Sequence, residues 1–582
     1  MWLIERKAFA SLFLFFVSFG VFAFSLKNDF VWDDVQVIEK TYYSFKASRI
    51  KSIIIPKIKR SQNLAPYYRP IIFISNVLDR SLWGISPFGF HLSNVVFYSI
   101  STVTFYFLML IVFGEFSVDQ KEIKAFLSSL LFTLYPMHVE SVSWVAGRTD
   151  LLSGLFFFIA FIFHIFSFRK LWFVTLAAFS FFLSLLSKEV AIVFPIVALG
   201  FDLLSRKFVI RNFTLKYTFY ALLILLYFYL RGRAFDSVPD LISQSSTSST
   251  YEGSQILGHL KILLNSYLFY IYKLVFPFEF NAFIGSVPND IYFFISSILV
   301  IFLLCVISVI SIIKKKYVNP FGIFWVCVTL GPSCLVAISV FSSTPLAERY
   351  LYIPSAGYCL LVGHFIFEVG KRINFQKAAL ALGFLLSFSY LFFTIDRQKV
   401  WKEDLILWED TSSKATNYAI PHSNYGMALK DAGKKDEAIR ELLTALDPEV
   451  KDTKRGRATT ANNLGLVYLD KEDYKNAEEW FLKALYYDST YGRTYYHLGL
   501  IYFIKGEYGN SVSDYRMAEK YLKKTLEMYR SYGRANLLLA KVYIRLGEKE
   551  KARENAERAI RGGLIEPLSI EAQGILNELQ DK

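Results

Sequence analysis

The chain has 582 residues, of which 54% are hydrophobic and 18% aromatic, and its mean hydropathy is +0.35. A typical globular chain is about 45–50% apolar even with glycine counted, so this composition excludes an ordinary soluble enzyme. It also excludes a disordered chain, collagen and a disulfide scaffold. The 64 Lys+Arg against 50 Asp+Glu give a formal net charge of +14. All four cysteines lie in apolar runs, which predicts buried thiols, and no Cys/His cluster has metal-binding spacing.

The chain changes character near residue 396. Before that point, apolar stretches of the roughly 20 residues that a membrane span needs follow one another, and after it they stop. We predict an all-α protein with a polytopic membrane domain at 1–396, a linker at 397–416 and a helical tail at 417–582. About eleven spans are predicted, at 8–26, 90–113, 124–137, 151–167, 171–187, 190–204, 214–230, 291–313, 320–341, 354–370 and 376–395.

The distribution of lysine and arginine predicts how these spans are oriented. The first stretch follows Glu5-Arg6-Lys7, and because no small-residue cleavage site ends it, we interpret it as a span with a cytoplasmic N-terminus. If the apolar segment 256–276 is interfacial or re-entrant, the basic inter-span loops, including Lys314–Lys316, face the cytoplasm. As a full span it would send that lysine triplet outside, so we adopt the first alternative, which places the tail on the outer face. The outer loop 27–70 is an exception, because it is basic between residues 40 and 60.

A repeat with a spacing near 34 residues begins at about residue 417. This is the period of the tetratricopeptide repeat (TPR), in which small residues let paired helices approach closely. Matching small residues recur in four units, at Gly426, Ala438 and Ala445; at Gly465, Ala477 and Ala484; at Gly499 and Ala518; and at Ala540, Ala552 and Ala559. The third unit has Ser511 where alanine is usual. We therefore predict a TPR α-solenoid of about four repeats with a groove for a peptide or protein, in preference to a generic amphipathic bundle.

Four charged clusters occur at the ends of predicted spans, and the predicted topology places all four on the outer face. Ionisable residues at membrane depth are costly and therefore often functional, so a single shared site is the favoured interpretation. The members are Asp33 and Asp34; His138, Glu140, Arg148 and Asp150; Lys188 and Glu189; and Glu348 and Arg349. The alternative is a set of ion pairs that hold helices together.

A site that holds both acids and fixed cations suits transfer of a group from an anionic lipid. An aspartate of the Asp33-Asp34 pair would remove a hydroxyl proton. Arg148 or Arg349 would bind a phosphate through two parallel hydrogen bonds, and Arg69 is a further candidate for the same task.

Several of these residues have simpler alternative roles. The Asp33-Asp34 pair could form a turn or cap a helix. His138 could be a packed, hydrogen-bonded side chain, and Lys188 with Glu189 could form a local ion pair.

Taken together, these segments resemble the transmembrane and TPR-containing (TMTC-type) protein O-mannosyltransferases and their bacterial relatives. The resemblance covers essentially the whole chain in the right order, and its most specific parts are Arg148–Leu152 and Ala347–Tyr352. The matching segments are Phe30–Asp34, Tyr68–Pro70, His91–Asn94, Met137–Glu140, Gly147–Leu152, Ser187–Glu189, Ala347–Pro354 and the TPR tail.

The resemblance implies a GT-C glycosyltransferase fold that uses a polyprenyl-phosphate sugar as donor. In that family pattern Asp33 would be the catalytic base beside Asp34, and a group of cations would bind the lipid phosphate, namely Arg349, Arg148, Arg69 and Lys188. The residues that would shape the sugar and acceptor pocket are His138, Glu140, Asp150, Glu189 and Glu348. No cofactor and no metal ligand is implied beyond the donor, although a carboxylate-bound divalent ion stays open.

The predicted function is transfer of mannose or another hexose to an acceptor hydroxyl on the non-cytoplasmic face. The predicted partners are the lipid-linked sugar, membrane lipid and an acceptor protein or peptide held by the TPR groove, with no nucleic acid. The predicted location is a bacterial inner membrane with a periplasmic tail. Four repeats are few for this family, which leaves open whether the acceptor is protein Ser/Thr, a lipid or a glycan. The alternative function is a non-enzymatic TPR scaffold for envelope assembly.

Overall fold

The computed structural model describes residues 2–38, 67–205, 210–235, 254–338, 344–372, 375–562, 564 and 567–580. Two compact units divide the chain, Met1–Leu407 and Trp408–Lys582. Within the described ranges every regular element is a helix, apart from two isolated β-bridges. The predicted all-α class is therefore confirmed. The basic stretch at 40–60 lies outside the described residues.

The described part of the first unit is built from helices. They are α1 (Trp2–Phe22), α2 (Pro70–Trp83), α3 (Pro87–Glu115), α4 (Lys121–Thr133), α5 (Val139–Ser143), α6 (Arg148–Phe166), α7 (Phe173–Ser187), α8 (Phe194–Leu204), α9 (Ile210–Phe235), α10 (Ser254–Val275), α11 (Ile291–Ile313), α12 (Val318–Ile338), α13 (Tyr352–Arg372) and α14 (Gln376–Val400). A further helix, Asp404–Lys414, follows.

By length and composition, eight helices in the described part of the chain are long and apolar enough to cross a membrane, and they coincide with eight of the eleven predicted spans. These eight make the first unit a multi-pass membrane protein. The other three predicted spans fall on α4, α7 and α8, which have only 13, 15 and 11 residues. A helix of 13 residues is about 20 Å long, whereas the hydrocarbon core is about 30 Å thick.

These three shorter segments differ from the eight long helices in their packing. The apolar run that contains α4 continues into turns whose residues are almost all buried inside the protein, so many of its apolar side chains belong to the core. The segment 256–276 forms α10, which is not among the eight candidate spans.

The helices that carry the charged clusters are held together by an aromatic core. Trp325 on α12 is fully buried, its ring lies 5.2 Å from that of Phe161 on α6, and its indole N–H donates to the Ile353 carbonyl at 3.0 Å. Gly154 lets α6 and α13 approach, because a Cβ there would lie 2.4 Å from the Tyr352 ring. The starts of α6 and α13 are thereby fixed near each other.

The second unit consists of four pairs of antiparallel helices and a final helix, as the repeat predicts. They are α15 (Ala419–Asp431) with α16 (Lys435–Ala445), α17 (Lys454–Asp470) with α18 (Tyr474–Tyr487), α19 (Gly492–Gly509) with α20 (Val512–Met528), α21 (Gly533–Arg545) with α22 (Lys549–Arg561), and α23 (Leu568–Gln580).

The small residues of the repeat act as predicted. A Cβ at Gly465 would lie 2.6 Å from the Phe481 ring, so only glycine lets this helix pair close. The unusual Ser511 caps α20, because its hydroxyl accepts a hydrogen bond from the Asp514 N–H at 3.2 Å. A serine at this position therefore has a local structural reason.

Candidate functional site

The acidic loop after the first span presents its two aspartates differently. The Asp34 carboxylate is fully buried and accepts hydrogen bonds from the backbone N–H of Val31 at 3.1 Å and of Ala146 at 2.9 Å. Burial, and next the neighbouring Asp33 charge, raise the pKa of Asp34 well above its ordinary value. Asp33 is partly exposed. Asp33 is therefore the more exposed of the two carboxylates, although its Oδ1 atom is buried. Asp34 ties the loop to the segment before α6.

Trp32 fixes this loop from two sides. Its backbone has a positive φ of 61°, which is unusual for a bulky residue, and its N–H donates to the Asp404 carboxylate at 2.7 Å. Its indole stacks on that of Trp144 with the ring centres 5.0 Å apart. The guanidinium carbon of Arg349 lies 5.2 Å from the centre of the same Trp144 ring. The acidic loop and Arg349 thus contact one shared side chain.

Glu140 holds Arg349 in place. One carboxylate oxygen pairs with the Arg349 guanidinium, and the other accepts a hydrogen bond from the Arg349 backbone N–H at 2.9 Å. The neighbouring Glu348 is buried, accepts a hydrogen bond from the Asn281 N–H at 2.7 Å and lies 3.8 Å from Arg397. Glu348 therefore supports the segment around Arg349 and is itself enclosed.

Lys188 and Asp150 form a second pair beside Arg349. The Lys188 ammonium donates to both carboxylate oxygens, at 2.6 and 2.8 Å, and lies 5.0 Å from the centre of the Tyr350 ring. Burial lowers the pKa of Lys188, Asp150 opposes this shift, and the charges of Arg69 and Arg349 add to it. The mutual influence of these three cations indicates that they are near neighbours.

Arg69 and Glu189 form the third pair, and it is the most exposed. The guanidinium donates to both carboxylate oxygens, at 3.1 and 2.9 Å, and lies 4.2 Å from the centre of the Tyr67 ring. Burial favours the neutral form of Glu189, but the charge and hydrogen bonds of Arg69 outweigh it and lower the pKa to about 2. The side chain of Arg69 remains 18% exposed, against 13% for Arg349 and 5% for Lys188.

These contacts bring side chains of all four predicted clusters together. A small recess opens beside them, and its lining includes Asp150, Tyr350, Thr329 and Ser333. We name the three pairs Arg69–Glu189, Lys188–Asp150 and Arg349–Glu140 the cation cluster. Within the described ranges, no three His, Cys, Asp or Glu side chains lie close enough together to hold a metal ion.

Arg148 does not fit the donor-binding role that was predicted for it. It is fully buried and lies 2.5 Å from the Asp79 carboxylate. Its remaining donors reach Asn94, Asn76, Ser75 and the Phe90 carbonyl. All of its N–H groups are thereby engaged, and none is left for a phosphate. Arg148 therefore fixes the start of α6 and positions Asp150.

His138 was predicted to shape the sugar and acceptor pocket, and this prediction is also corrected, because His138 does not line a pocket. Its two ring nitrogens bond to the hydroxyls of Tyr98 at 3.0 Å and Ser355 at 2.8 Å, and its side chain is fully buried among aromatic rings. Burial lowers its pKa to about 3, which keeps the ring neutral. The simpler alternative, a packed and hydrogen-bonded histidine, describes it.

Asp79 was missed as the partner of Arg148. On α2 the polar residues Ser75, Asn76 and Asp79 are spaced at i, i+1 and i+4, which places them on one helical face. Three polar residues on one face of a mostly apolar helix predict a buried polar contact. No sequence pattern linked it to Arg148, which lies 69 positions away.

The fold and the cluster together define a polytopic membrane protein with a paired acid–cation site and a TPR tail. Family models described as tetratricopeptide repeat match residues 456–531 and 511–563. The chain is 27% identical over 449 residues to "Protein O-mannosyl-transferase F38B6.6" of Caenorhabditis elegans, covering 73% of this chain and 60% of that protein. It is 24% identical over 516 residues to the human "Protein O-mannosyl-transferase TMTC1", covering 78% of this chain and 56% of that protein.

These relatives confirm the predicted family assignment: the chain's curated homologues are TMTC-family protein O-mannosyltransferases. The chain spans between half and two-thirds of the length of these two relatives. Among solved structures, a crystal structure of MamA is 20% identical, with a TM-score of 0.23, covering 27% of this chain and 85% of that one.

Proposed function

We propose that this protein is a membrane glycosyltransferase that moves a hexose from a polyprenyl-phosphate carrier to the hydroxyl of a protein Ser or Thr. The names of its relatives favour mannose as the sugar. One observation carries the proposal: the loop of the accessible carboxylate, Asp33, and the cation Arg349 contact the same Trp144 ring. A scaffold that only recruits partners needs no such meeting of an acid and cations from distant parts of the chain.

In the proposed reaction Asp33 accepts the proton of the acceptor hydroxyl. The oxygen forms a bond to the anomeric carbon of the sugar while the bond from that carbon to the phosphate oxygen breaks. The electron pair of that bond leaves with the polyprenyl phosphate, and the configuration at the anomeric carbon is inverted. A positioned carboxylate base of this kind contributes about 10²–10⁴-fold to a rate.

The cation cluster supports the departure of the phosphate. The donor is a phosphodiester with one negative charge, and the released phosphate monoester approaches two. Fixed cations therefore stabilise the transition state more than the bound donor, which is the condition for catalysis. Arg349 and Arg69 keep some solvent exposure, and Lys188 lies beside them.

The proposed location of this chemistry is the non-cytoplasmic surface of a bacterial inner membrane. Basic inter-span loops such as Lys314–Lys316 support this location, because lysine- and arginine-rich loops favour the cytoplasmic side. The TPR unit would then lie in the periplasm and hold the acceptor protein in its groove.

The test uses the purified full-length protein in lipid nanodiscs with a radiolabelled polyprenyl-phosphate mannose and an acceptor peptide that contains Ser and Thr. We expect label in the peptide, and a loss of at least about 100-fold in Asp33→Asn. Transfer that persists in Asp33→Asn would remove this residue from the role of base. No transfer with mannose or any other hexose donor would leave a scaffold as the function.

A matched control is Asp290→Asn. Asp290 caps α11 by accepting a hydrogen bond from the Phe293 N–H at 2.8 Å, and asparagine caps helices about equally well. This variant makes the same chemical change away from the cation cluster, so we expect it to retain full transfer.

A further inference from the structure

Three arginines occupy the same position in successive repeats of the TPR unit. Arg455, Arg493 and Arg534 are each the second residue of the first helix of a repeat, in α17, α19 and α21. A cation in the first turn of a helix faces the positive end of the helix dipole, which is unfavourable by a few tenths of a kcal/mol. Helix stability therefore does not account for this row.

Among the described residues, two of these three arginines have no carboxylate partner. Arg455 pairs with Asp488 at 3.3 Å. In the described part of the chain, no Asp or Glu lies within 4 Å of Arg493, which is half-buried, or of Arg534, which is exposed. In the second helices of the third and fourth repeats the arginines are paired with glutamates, as Arg516 and Arg558 show.

Half-buried aromatic side chains lie beside these arginines. The rings of Tyr496 and Tyr532 meet edge to face with centres 5.3 Å apart, and Tyr529 lies 6.4 Å from Tyr532. Arg493 and Arg534 both act electrostatically on Tyr532. We call Arg493, Arg534, Tyr496, Tyr529 and Tyr532 the arginine–tyrosine face.

A buried polar atom next to this face also lacks a partner. The Nδ1 atom of His497 is buried and has no hydrogen-bond partner among the described residues, while its ring stacks on Phe481 at 5.2 Å. Burial, and then the charges of Arg493 and Arg534, lower the pKa of His497 to about 4, so the ring is neutral at pH 7. A buried nitrogen without a partner is costly unless a ligand completes it.

We infer that the arginine–tyrosine face binds an extended acidic segment of the acceptor protein, with its carboxylates on Arg493 and Arg534 and its backbone along the tyrosines. Arginine binds carboxylates through two parallel hydrogen bonds, and tyrosine and arginine are enriched where proteins meet. The inference rests on the proposed function, since it names the chemistry of the acceptor that the transferase would select.

The experiment measures binding without sugar transfer. The full-length protein in nanodiscs of zwitterionic lipid is titrated into a short fluorescein-labelled peptide that alternates Glu with Thr, and fluorescence anisotropy is recorded. A matched peptide has Gln in place of every Glu. We expect the acidic peptide to bind at least about tenfold more tightly, and the double variant Arg493→Gln/Arg534→Gln to lose that preference.

The control variant is Arg440→Gln, which removes an exposed arginine from the second helix of the first repeat. We expect it to keep the preference. Equal binding of the two peptides, or an equal loss in Arg440→Gln, would overturn the inference. Displacement of the peptide by phosphatidylglycerol vesicles but not by unlabelled acidic peptide would also overturn it, because the face would then bind lipid.

This inference and the proposed function fail separately. Sugar transfer to acidic and neutral peptides at the same rate would support the proposed transferase function and contradict the inferred selectivity for acidic segments. Selective peptide binding with no sugar transfer would support the arginine–tyrosine face as a binding site and contradict the proposed transferase function.

Discussion

The guanidinium carbon of Arg349 lies 5.2 Å from the ring centre of Trp144, a tryptophan that is only 7% exposed. Another neighbour of this ring is the indole of Trp32, in the loop that carries Asp33. A single aromatic side chain therefore sets the position of the proposed base relative to the proposed phosphate-binding cation.

The first prediction concerns Trp144. Replacing it with Ala removes both ring contacts, and a desolvated cation–π contact alone contributes about 2 kcal/mol. We expect sugar transfer by Trp144→Ala to fall by roughly tenfold or more, and Trp144→Phe to retain most of the rate because a ring remains. Single-turnover transfer rates check this, with size-exclusion profiles to confirm folding. An unchanged rate in Trp144→Ala would contradict the proposed arrangement.

The second prediction concerns pH. Lys188 has a pKa below the ordinary value of 10.5, because burial and the charges of Arg69 and Arg349 outweigh Asp150. As the pH rises, Lys188 should therefore lose its proton before pH 10.5 is reached, and donor binding that depends on its charge should weaken there. In Lys188→Arg the weakening should move to higher pH, because arginine stays charged. Apparent donor KM measured across alkaline pH tests this, and identical profiles for the two proteins would contradict it.

The lowered pKa of Lys188 also determines how the free energy of unfolding changes with pH. The unfolded chain binds the Lys188 proton more tightly than the folded protein, so this group makes folding more favourable as pH rises toward 10.5. Lys188→Met should therefore flatten the alkaline side of a plot of melting temperature against pH.

The third prediction concerns the buried pair of Arg148 and Asp79. Asp79→Ala leaves an uncompensated charge inside the protein, which costs about 3–5 kcal/mol. We expect a large loss of thermal stability in detergent. Asp396→Ala is the control, because Asp396 pairs with Lys399 where both side chains are exposed, and such pairs contribute at most about 1 kcal/mol. Equal melting temperatures of the two variants would argue against a structural role for Arg148.

The fourth prediction compares the same substitution at two glycines of the TPR unit. In Gly465→Ala the added methyl group would lie 2.6 Å from the Phe481 ring, so we expect a cost of about 1–3 kcal/mol. In Gly574→Ala the methyl group meets nothing within 4 Å on an exposed helical position, so we expect a gain of up to about 1 kcal/mol. Urea denaturation of the full chain checks both signs, and a destabilised Gly574→Ala would contradict this explanation.

The repeat unit was predictable from sequence because its packing is local and periodic. Gly465 and Phe481 are 16 residues apart, and an equivalent contact with the same spacing occurs between Gly426 and Leu442. The meeting of the four charged clusters was also predictable, because polar groups at the ends of apolar spans have few stable places in a membrane.

The individual roles within the site were harder to predict. His138 and Arg148 stand in the same short segment as Glu140, and nothing in their identity shows that they are enclosed. Their burial depends on Tyr98, Ser355 and Asp79, which come from other helices. The number of spans is hard to read from sequence for a related reason, since an apolar run looks the same whether lipid or protein covers it.

The hydrogen bond from the Trp32 N–H to Asp404 has a practical consequence for dissecting this molecule. A shortened chain that stops at Val400, where the last long membrane helix ends, would keep every hydrophobic helix and every member of the cation cluster. It would nevertheless lack Asp404, which accepts the hydrogen bond from the Trp32 N–H, and the position of Asp33 would no longer be fixed. A loss of activity on such a truncation would result from greater mobility of the loop around Trp32, near the N-terminus. A truncated chain should therefore include Asp404.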